Sequence, residues 1–342
     1  MRFLTAVLPL VCVAARAEEI RIEIAHGARQ VRVEVSGRSH AISVRGAEVL
    51  VDGAPGPAEF AGPLKLDGQE LAGRLELFAE KGGLLAVNVV DLEDYVAAVV
   101  ASEVPPSWPA EALRAQAVAA RTFAVAQKVS QGPGARAHLG ASVLDQVYKG
   151  TAHPAQAAQQ AARDTGGEVL TWGAAPIAAY FSASCGGKSE SAEAAFHLAP
   201  GSTPYLRGGD PDADERAWTK RIPLVEISAA LRRAGRIKAE VRGLRVASRT
   251  GSGRARTLSL QTAGGARALA AVELRQILGY RELPSLLFEV AVDGEAAVFK
   301  GAGSGHGVGL CQWGARGRAL KGEGYRAILA HYYPGAEIRR MY

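Results

Sequence analysis

Asp91-Leu-Glu-Asp94-Tyr-Val-Ala-Ala-Val-Val-Ala-Ser-Glu103-Val-Pro105-Pro106, followed by Ser-Trp108-Pro109-Ala-Glu111-Ala-Leu-Arg114-Ala-Gln116-Ala-Val-Ala-Ala-Arg121, holds two helices back to back. Asp91 sits where a cap belongs, with Asp94 as a box-like partner. Leu92, Tyr95, Val96, Val99 and Val100 then recur at i, i+3, i+4, i+7 and i+8, the stripe of a helix that buries one face. Pro105-Pro106 ends that helix. The next begins near Trp108, with Pro109 in its first turn and Glu111 where the helix dipole favours an acid. Its many alanines allow another backbone to pack closely, and Arg114, Val118, Arg121 and Val125 share a face.

On the N-terminal side the pattern changes. Ile20, Ile22, Ile24, then Val31, Val33, Val35, then Ile42 and Val44 alternate with polar residues, and Gly, Asp and Pro punctuate the runs. Residues 18–87 therefore read as a strand-rich module, and residues 88–342 as the main domain. Within the latter, 131–140 is a Gly/Pro loop, a helix follows around 154–163, and strand pattern runs from Glu168 to Ser182. Residues 222–300 mix a helix at Val225–Ala234 with strands around Leu244–Val246 and Leu258–Leu260, as expected of a subdomain inserted between two halves of a site. The class is α+β.

Composition sets limits. With 342 residues, 48% hydrophobic, 22% charged and a net charge of +6, the chain is neither disordered nor collagen-like, and three cysteines make no disulfide framework. No basic block offers a nucleic-acid surface. Residues 1–17 read as a signal peptide: Arg2, an apolar run from Phe3 to Ala15, and small residues at Ala15 and Ala17. Export to the periplasm, cell wall or medium is expected, with no transmembrane segment in the mature chain. Processing removes Cys12 and leaves Cys185 and Cys311 as candidates for a disulfide in an oxidising compartment. No CxxC, HExxH, dinucleotide or Walker pattern is present, so neither metal nor cofactor is expected.

Three places can carry chemistry. Glu103 falls four after Val99 and extends the apolar stripe, where burial and the negative helix end both raise a carboxyl pKa, as a general acid requires. The alternative is a helix-end glutamate turned to solvent. Gly301-Ala-Gly-Ser-Gly-His306-Gly-Val-Gly309 strips side chains from alternate positions, either to let a ligand approach backbone N–H groups or to serve a sheet corner. Ser184-Cys185 at a Gly-Gly turn suggests a Cys185/His306 nucleophilic pair as a further reading.

Several segments together resemble the SpoIID/LytB family, the stage II sporulation protein D-like peptidoglycan proteins. They are Asp94-Tyr-Val to Glu103-Val-Pro, Glu111 to Phe123, Thr165 to Leu170, Phe181-Ser-Ala-Ser-Cys-Gly-Gly187, Pro204-Tyr-Leu206, Gly305-His-Gly-Val-Gly309, Gln312-Trp-Gly-Ala315 and Ile328 to Gly335. The resemblance implies a two-lobed domain with a cleft that acts on peptidoglycan glycan strands as a lytic transglycosylase. It cuts between N-acetylmuramic acid and N-acetylglucosamine on strands stripped of stem peptides. The catalytic glutamate falls on Glu103; Arg114, Gln116, Arg121, Ser184, Tyr205, His306 and Gln312 are the implied substrate-binding residues. Zinc-binding members carry His and Cys near the Cys-Gly-Gly segment, where this chain has Tyr180 and Glu190, so no metal is implied. The LytB side of the family implies an alternative, a non-catalytic wall-binding protein that enhances a cell-wall amidase.

Overall fold

The structure, a computed structural model, describes residues 18–141, 146–150, 154–209 and 216–342. The expected signal peptide lies outside the described residues. The chain is α+β, with a strand-rich N-terminal region.

That region forms two sheets. Glu19–Ala28 pairs antiparallel with Gly83–Asp91, which also pairs with Arg74–Glu80, inside a five-stranded sheet. Gln30–Val35 and Arg38–Arg45 belong to a six-stranded sheet. The period-2 residues point inward as expected: Ile20, Ile22, Val33 and Ile42 are all fully buried. The boundary drawn at 87/88, however, falls inside the strand Gly83–Asp91. The core beneath these sheets runs on into Tyr95, Val96, Val99 and Ala117. The change of pattern marked a change of secondary structure, not the edge of a separately cored module.

Helix α1 (Leu92–Glu103) follows directly, and Asp91 caps it by accepting the N–H groups of Glu93 (2.8 Å) and Asp94 (3.3 Å). Helix α2 (Ala110–Gln131) begins one residue after Pro109. Its alanines let it be buried on two faces: Ala117, Ala120 and Ala124 join the first core, while Ala115, Val118 and Ala119 join a second with Leu170, Leu310, Ile328 and Tyr333. Helix α3 (Gln156–Asp164) packs against both α1 and α2. Of the strand pattern expected from Glu168 to Ser182, Glu168–Trp172 and Ala175–Pro176 pair with each other, and Phe181–Ser182 pairs parallel to Leu310–Cys311. Short helix α4 (Ala192–Phe196) follows.

Residues 217–302 then form a unit of two three-stranded sheets with α5 (Leu224–Arg233) and α6 (Ala271–Leu278). It closes a core of its own, from Ile222 to Phe299. The chain returns through α7 (Gln312–Leu320) and α8 (Tyr325–Tyr332) to complete the second core. No described helix is long and apolar enough to cross a membrane.

Candidate active site

A cavity of about 670 Å³ opens between the helical body and the unit 217–302, within the range of small-ligand sites. Glu103, at the last position of α1, lines it together with Phe181, Phe196 and His306. The apolar stripe of α1 aims Glu103 there, because its five buried positions, Leu92, Tyr95, Val96, Val99 and Val100, fix the rotation of the helix. The tract from Pro105 to Pro109 cannot continue the helix, and Val104 is extended. Trp108, in that turn, packs edge-on against Trp313 of α7 at 5.0 Å between ring centroids. This contact ties the end of α1 to the helix that supplies Gln312.

The Glu103 carboxyl is half-buried. Val147 N–H donates to its Oε1 (2.9 Å) and Gln312 Nε2 donates to its Oε2 (3.3 Å). Burial pushes its pKa above the ordinary 4.5, and outweighs those two donors and the charge of Lys149, which pull the other way. Gln312 Nε2 also reaches Gln116 Oε1 (3.4 Å), so half-buried Glu103 is joined through Gln312 to the buried Gln116. Gln116 Nε2 has no partner among the described residues. Val147 is held by its neighbours: Tyr95 donates to Gln146 Oε1 (2.7 Å), and Tyr148 donates to Asn88 Oδ1 (2.7 Å).

His306 faces the cavity as a neutral ring. Its Nδ1 accepts the Val308 N–H (3.0 Å), which leaves the proton on Nε2, and a bond to the Phe181 backbone engages the ring as well. Burial, then the charges of Arg275 and Arg254, push its pKa down to about 4. Its Nδ1 is taken by a backbone donor, and no hydrogen bond links the ring to Cys185 among the described residues. Cys185 is buried, and Cys311 Sγ accepts N–H groups from Cys185 (3.2 Å) and from Gly314 (3.3 Å), the latter as the cap of α7. No disulfide joins these two cysteines. The candidate disulfide is not formed in this structure, where Cys311 Sγ accepts from backbone donors.

The alternate glycines have a different reason from ligand access. A Cβ at Gly307 would lie 2.0 Å from Arg254 Nη2, and one at Gly309 would lie 2.0 Å from the Tyr180 carbonyl oxygen. Both residues also hold positive φ. The loop is glycine-rich because protein, not ligand, lies against it.

Of the other expected residues, Arg121 is turned away. It is 0% exposed, its Nη2 pairs with Glu93 Oε2 (2.5 Å), and it also donates to the carbonyls of Ala162 and Glu168 and to Thr165. Arg114 pairs with Asp164 (2.6 Å) and with Glu111. Ser184 is buried and accepts the Gly186 N–H, and Tyr205 packs at a tilt against Trp172. None of these four lines the cavity. Side-chain type and helical spacing cannot tell a guanidinium bound for substrate from one bound for a helix pair. The sequence reading also missed the Val147 donor and the wall from residues 250–286, because neither lies near Glu103 in the chain. Among the described residues no cluster of three His, Cys, Asp or Glu gathers to hold a metal ion.

Comparison with known proteins fits this architecture. A family described as stage II sporulation protein matches residues 80–172, which include both helices and Glu103. A domain of unknown function matches residues 209–309, spanning the unit beyond the cavity. The chain is 32% identical to stage II sporulation protein D of Bacillus subtilis, over 74% of this chain and 76% of that protein. It is 34% identical to an uncharacterized protein of Brachyspira hyodysenteriae, over 80% and 73% respectively. An amidase enhancer of Bacillus subtilis is 27% identical over 70% of this chain, but only 39% of that longer protein is spanned. The chain belongs to the SpoIID family.

Proposed function

We propose that the protein is an exported lytic transglycosylase that cuts the bond between N-acetylmuramic acid and N-acetylglucosamine in peptidoglycan glycan strands. The observation that carries this reading is the Glu103 carboxyl: half-buried at the cavity wall, with its pKa raised by burial. Such a group keeps its proton until a leaving oxygen needs it.

In this reading Glu103 gives its proton to the glycosidic oxygen as the C1–O bond of the muramic acid breaks. The N–H of Val147 and the Gln312 amide then stabilise the new carboxylate. That carboxylate takes the proton of the muramic C6 hydroxyl as its oxygen bonds to C1, which closes a 1,6-anhydro ring and restores the acid. No water enters. A hydrolase needs a second carboxylate to activate water or to attack C1. Glu190, the other carboxyl lining the cavity among the described residues, is buried and engaged: its Oε2 accepts from Ser252 (2.8 Å), its Oε1 from the Ser191 N–H (2.9 Å).

The similarity to an amidase enhancer favours a second reading, a wall-binding protein that stimulates an amidase without cutting glycan. Digestion of peptide-free glycan followed by mass spectrometry separates the two. Anhydromuramyl ends that vanish with Glu103→Gln are expected. Hydrated reducing ends would point to a hydrolase. Intact strands, together with amidase stimulation that survives Glu103→Gln, would favour the enhancer.

A further inference from the structure

The Val147 N–H reaches Glu103 from residues 146–150, which belong to no helix or strand. Backbone without ladder hydrogen bonds keeps a donor in place only if something else holds it. Here alternate side chains do so: Gln146 and Tyr148 are buried, while Val147 is half-buried and Lys149 exposed. Gln146 is held by the helix pair. Its Oε1 accepts from the Tyr95 hydroxyl (2.7 Å), and its Nε2 donates to the Ala120 carbonyl of α2 (3.2 Å). Tyr95 lies on α1 about two turns before Glu103, so one helix sets both the carboxyl and the segment that faces it.

Tyr148 is held by the N-terminal sheet. Its hydroxyl donates to Oδ1 of Asn88 (2.7 Å), which is fully buried in the strand Gly83–Asp91. Asn88 Nδ2 donates to the carbonyls of Ala72 (2.9 Å) and Arg74 (3.0 Å). With its donors directed there, the amide turns its oxygen to Tyr148. The Tyr95 and Tyr148 rings pack at 5.3 Å between centroids, so the two anchors brace each other. Gly150 closes the run. It holds positive φ, and a Cβ there would lie 2.0 Å from the carbonyl oxygen of Glu70, in the strand Gln69–Leu71.

We propose that Gln146 and Tyr148 are positioning residues that strap the Val147 N–H to the Glu103 carboxyl, with Tyr95 and Asn88 as their anchors. The inference rests on Glu103 as the acid of the glycan reading above, and it gives the N-terminal sheet a task at the site. A donor N–H favours the ionised carboxyl, the form left after the proton has gone to the leaving oxygen. Val147 is the closer of the two donors, at 2.9 Å against 3.3 Å for Gln312. Release of either anchor lets the segment drift and takes that stabilisation away. Lys149, on the same segment, also favours the charged form. Glu190, His197, His306, Arg254, Arg256 and Arg275 share the cavity with Glu103, as do Tyr180 and Tyr280. The variants below remove one hydroxyl each and leave every one of these groups in the chain.

The test follows the Glu103 carboxyl carbon by NMR through a pH titration, assigned by its loss in Glu103→Gln, beside turnover on peptide-free glycan. In Tyr148→Phe and in Tyr95→Phe, Glu103 is expected to titrate about 1 pH unit higher, the worth of a hydrogen bond to a charged group. The falling limb of the pH–rate profile moves up with it, and kcat drops about tenfold while KM stays near the parent's. Thr122→Val is the control. It removes another buried hydroxyl, one that accepts the Leu170 N–H (2.9 Å), and should leave the titration in place. Should one tyrosine variant fail to fold, the other decides, and in the parent the Val147 amide resonance must move with the Glu103 titration. An unmoved titration in a folded tyrosine variant, an equal shift in Thr122→Val, or a Val147 resonance indifferent to pH overturns the strap. The titration needs no glycan, so a parent that leaves strands intact overturns the glycan reading separately.

Discussion

Glu103 is placed at a disadvantage that chemistry can use. Burial raises its pKa, so the carboxyl carries stability that is fully present below its ordinary 4.5 and is lost as pH rises through the raised value. Glutamine never ionises, so Glu103→Gln should melt higher than the parent at neutral pH, with the difference closing below pH 4.5; thermal melts across pH check it. The same substitution should lower turnover by about 10²–10⁴-fold, the worth of a positioned general acid. In the parent, turnover should fall as pH rises through the Glu103 pKa, a limb that a pH–rate profile reads directly. Arg121 makes the opposite case. Burial pushes Glu93 up, but the Arg121 guanidinium overrides it and holds the carboxyl below its ordinary value. Arg121→Met leaves Glu93 without its charged partner, keeping only the Tyr342 hydroxyl and the Gly167 N–H, and should cost about 3–5 kcal/mol in denaturant unfolding. Turnover per folded molecule should be nearly unchanged, since Arg121 does not line the cavity.

Helices and loops divide the work of holding the acid. Helix α1 aims Glu103, the Trp108–Trp313 contact fixes α7 beside it, and the loop 301–309 fills the space below with bare backbone. Gly307→Ala drives a methyl into Arg254 and keeps a positive φ, so it should destabilise the protein strongly and displace the guanidinium that bridges to Cys185 and Lys188. Gly317 is a control from a neighbouring element. It lies inside α7, where nothing approaches an added Cβ within 4 Å, and Gly317→Ala should stabilise by about 0.4–1 kcal/mol. Chemical denaturation of the two variants side by side tests whether loop glycines and helix glycines differ as described. The stripe of α1 and the break at Pro105-Pro106 were legible because they depend on local spacing. The reason for the glycines was not, because Arg254 and Tyr180 lie tens of residues and more away from them.

In the whole chain, the N-terminal strands and the helices share one core. Removing residues 18–82 would strip Ile20, Ile22, Val33, Leu75 and Leu77 from the surface that buries Tyr95, Val96 and Val99. The truncated chain should fail to unfold cooperatively, and circular dichroism during a melt would show it; a sharp transition at the parental temperature would contradict the shared core. The unit 217–302, with its own core, makes its contribution at the cavity wall instead. Local pattern established the α+β class, the capped helix ending in Glu103 and the family, since caps, stripes and motifs are written in near neighbours. Folding decided the partners: Gln312 reaches Glu103 across 209 residues, Arg121 turns inward to Glu93, and three arginines of a distant unit line the cavity. A side chain's neighbours in space depend on how cores close, and spacing along the chain carries no record of that.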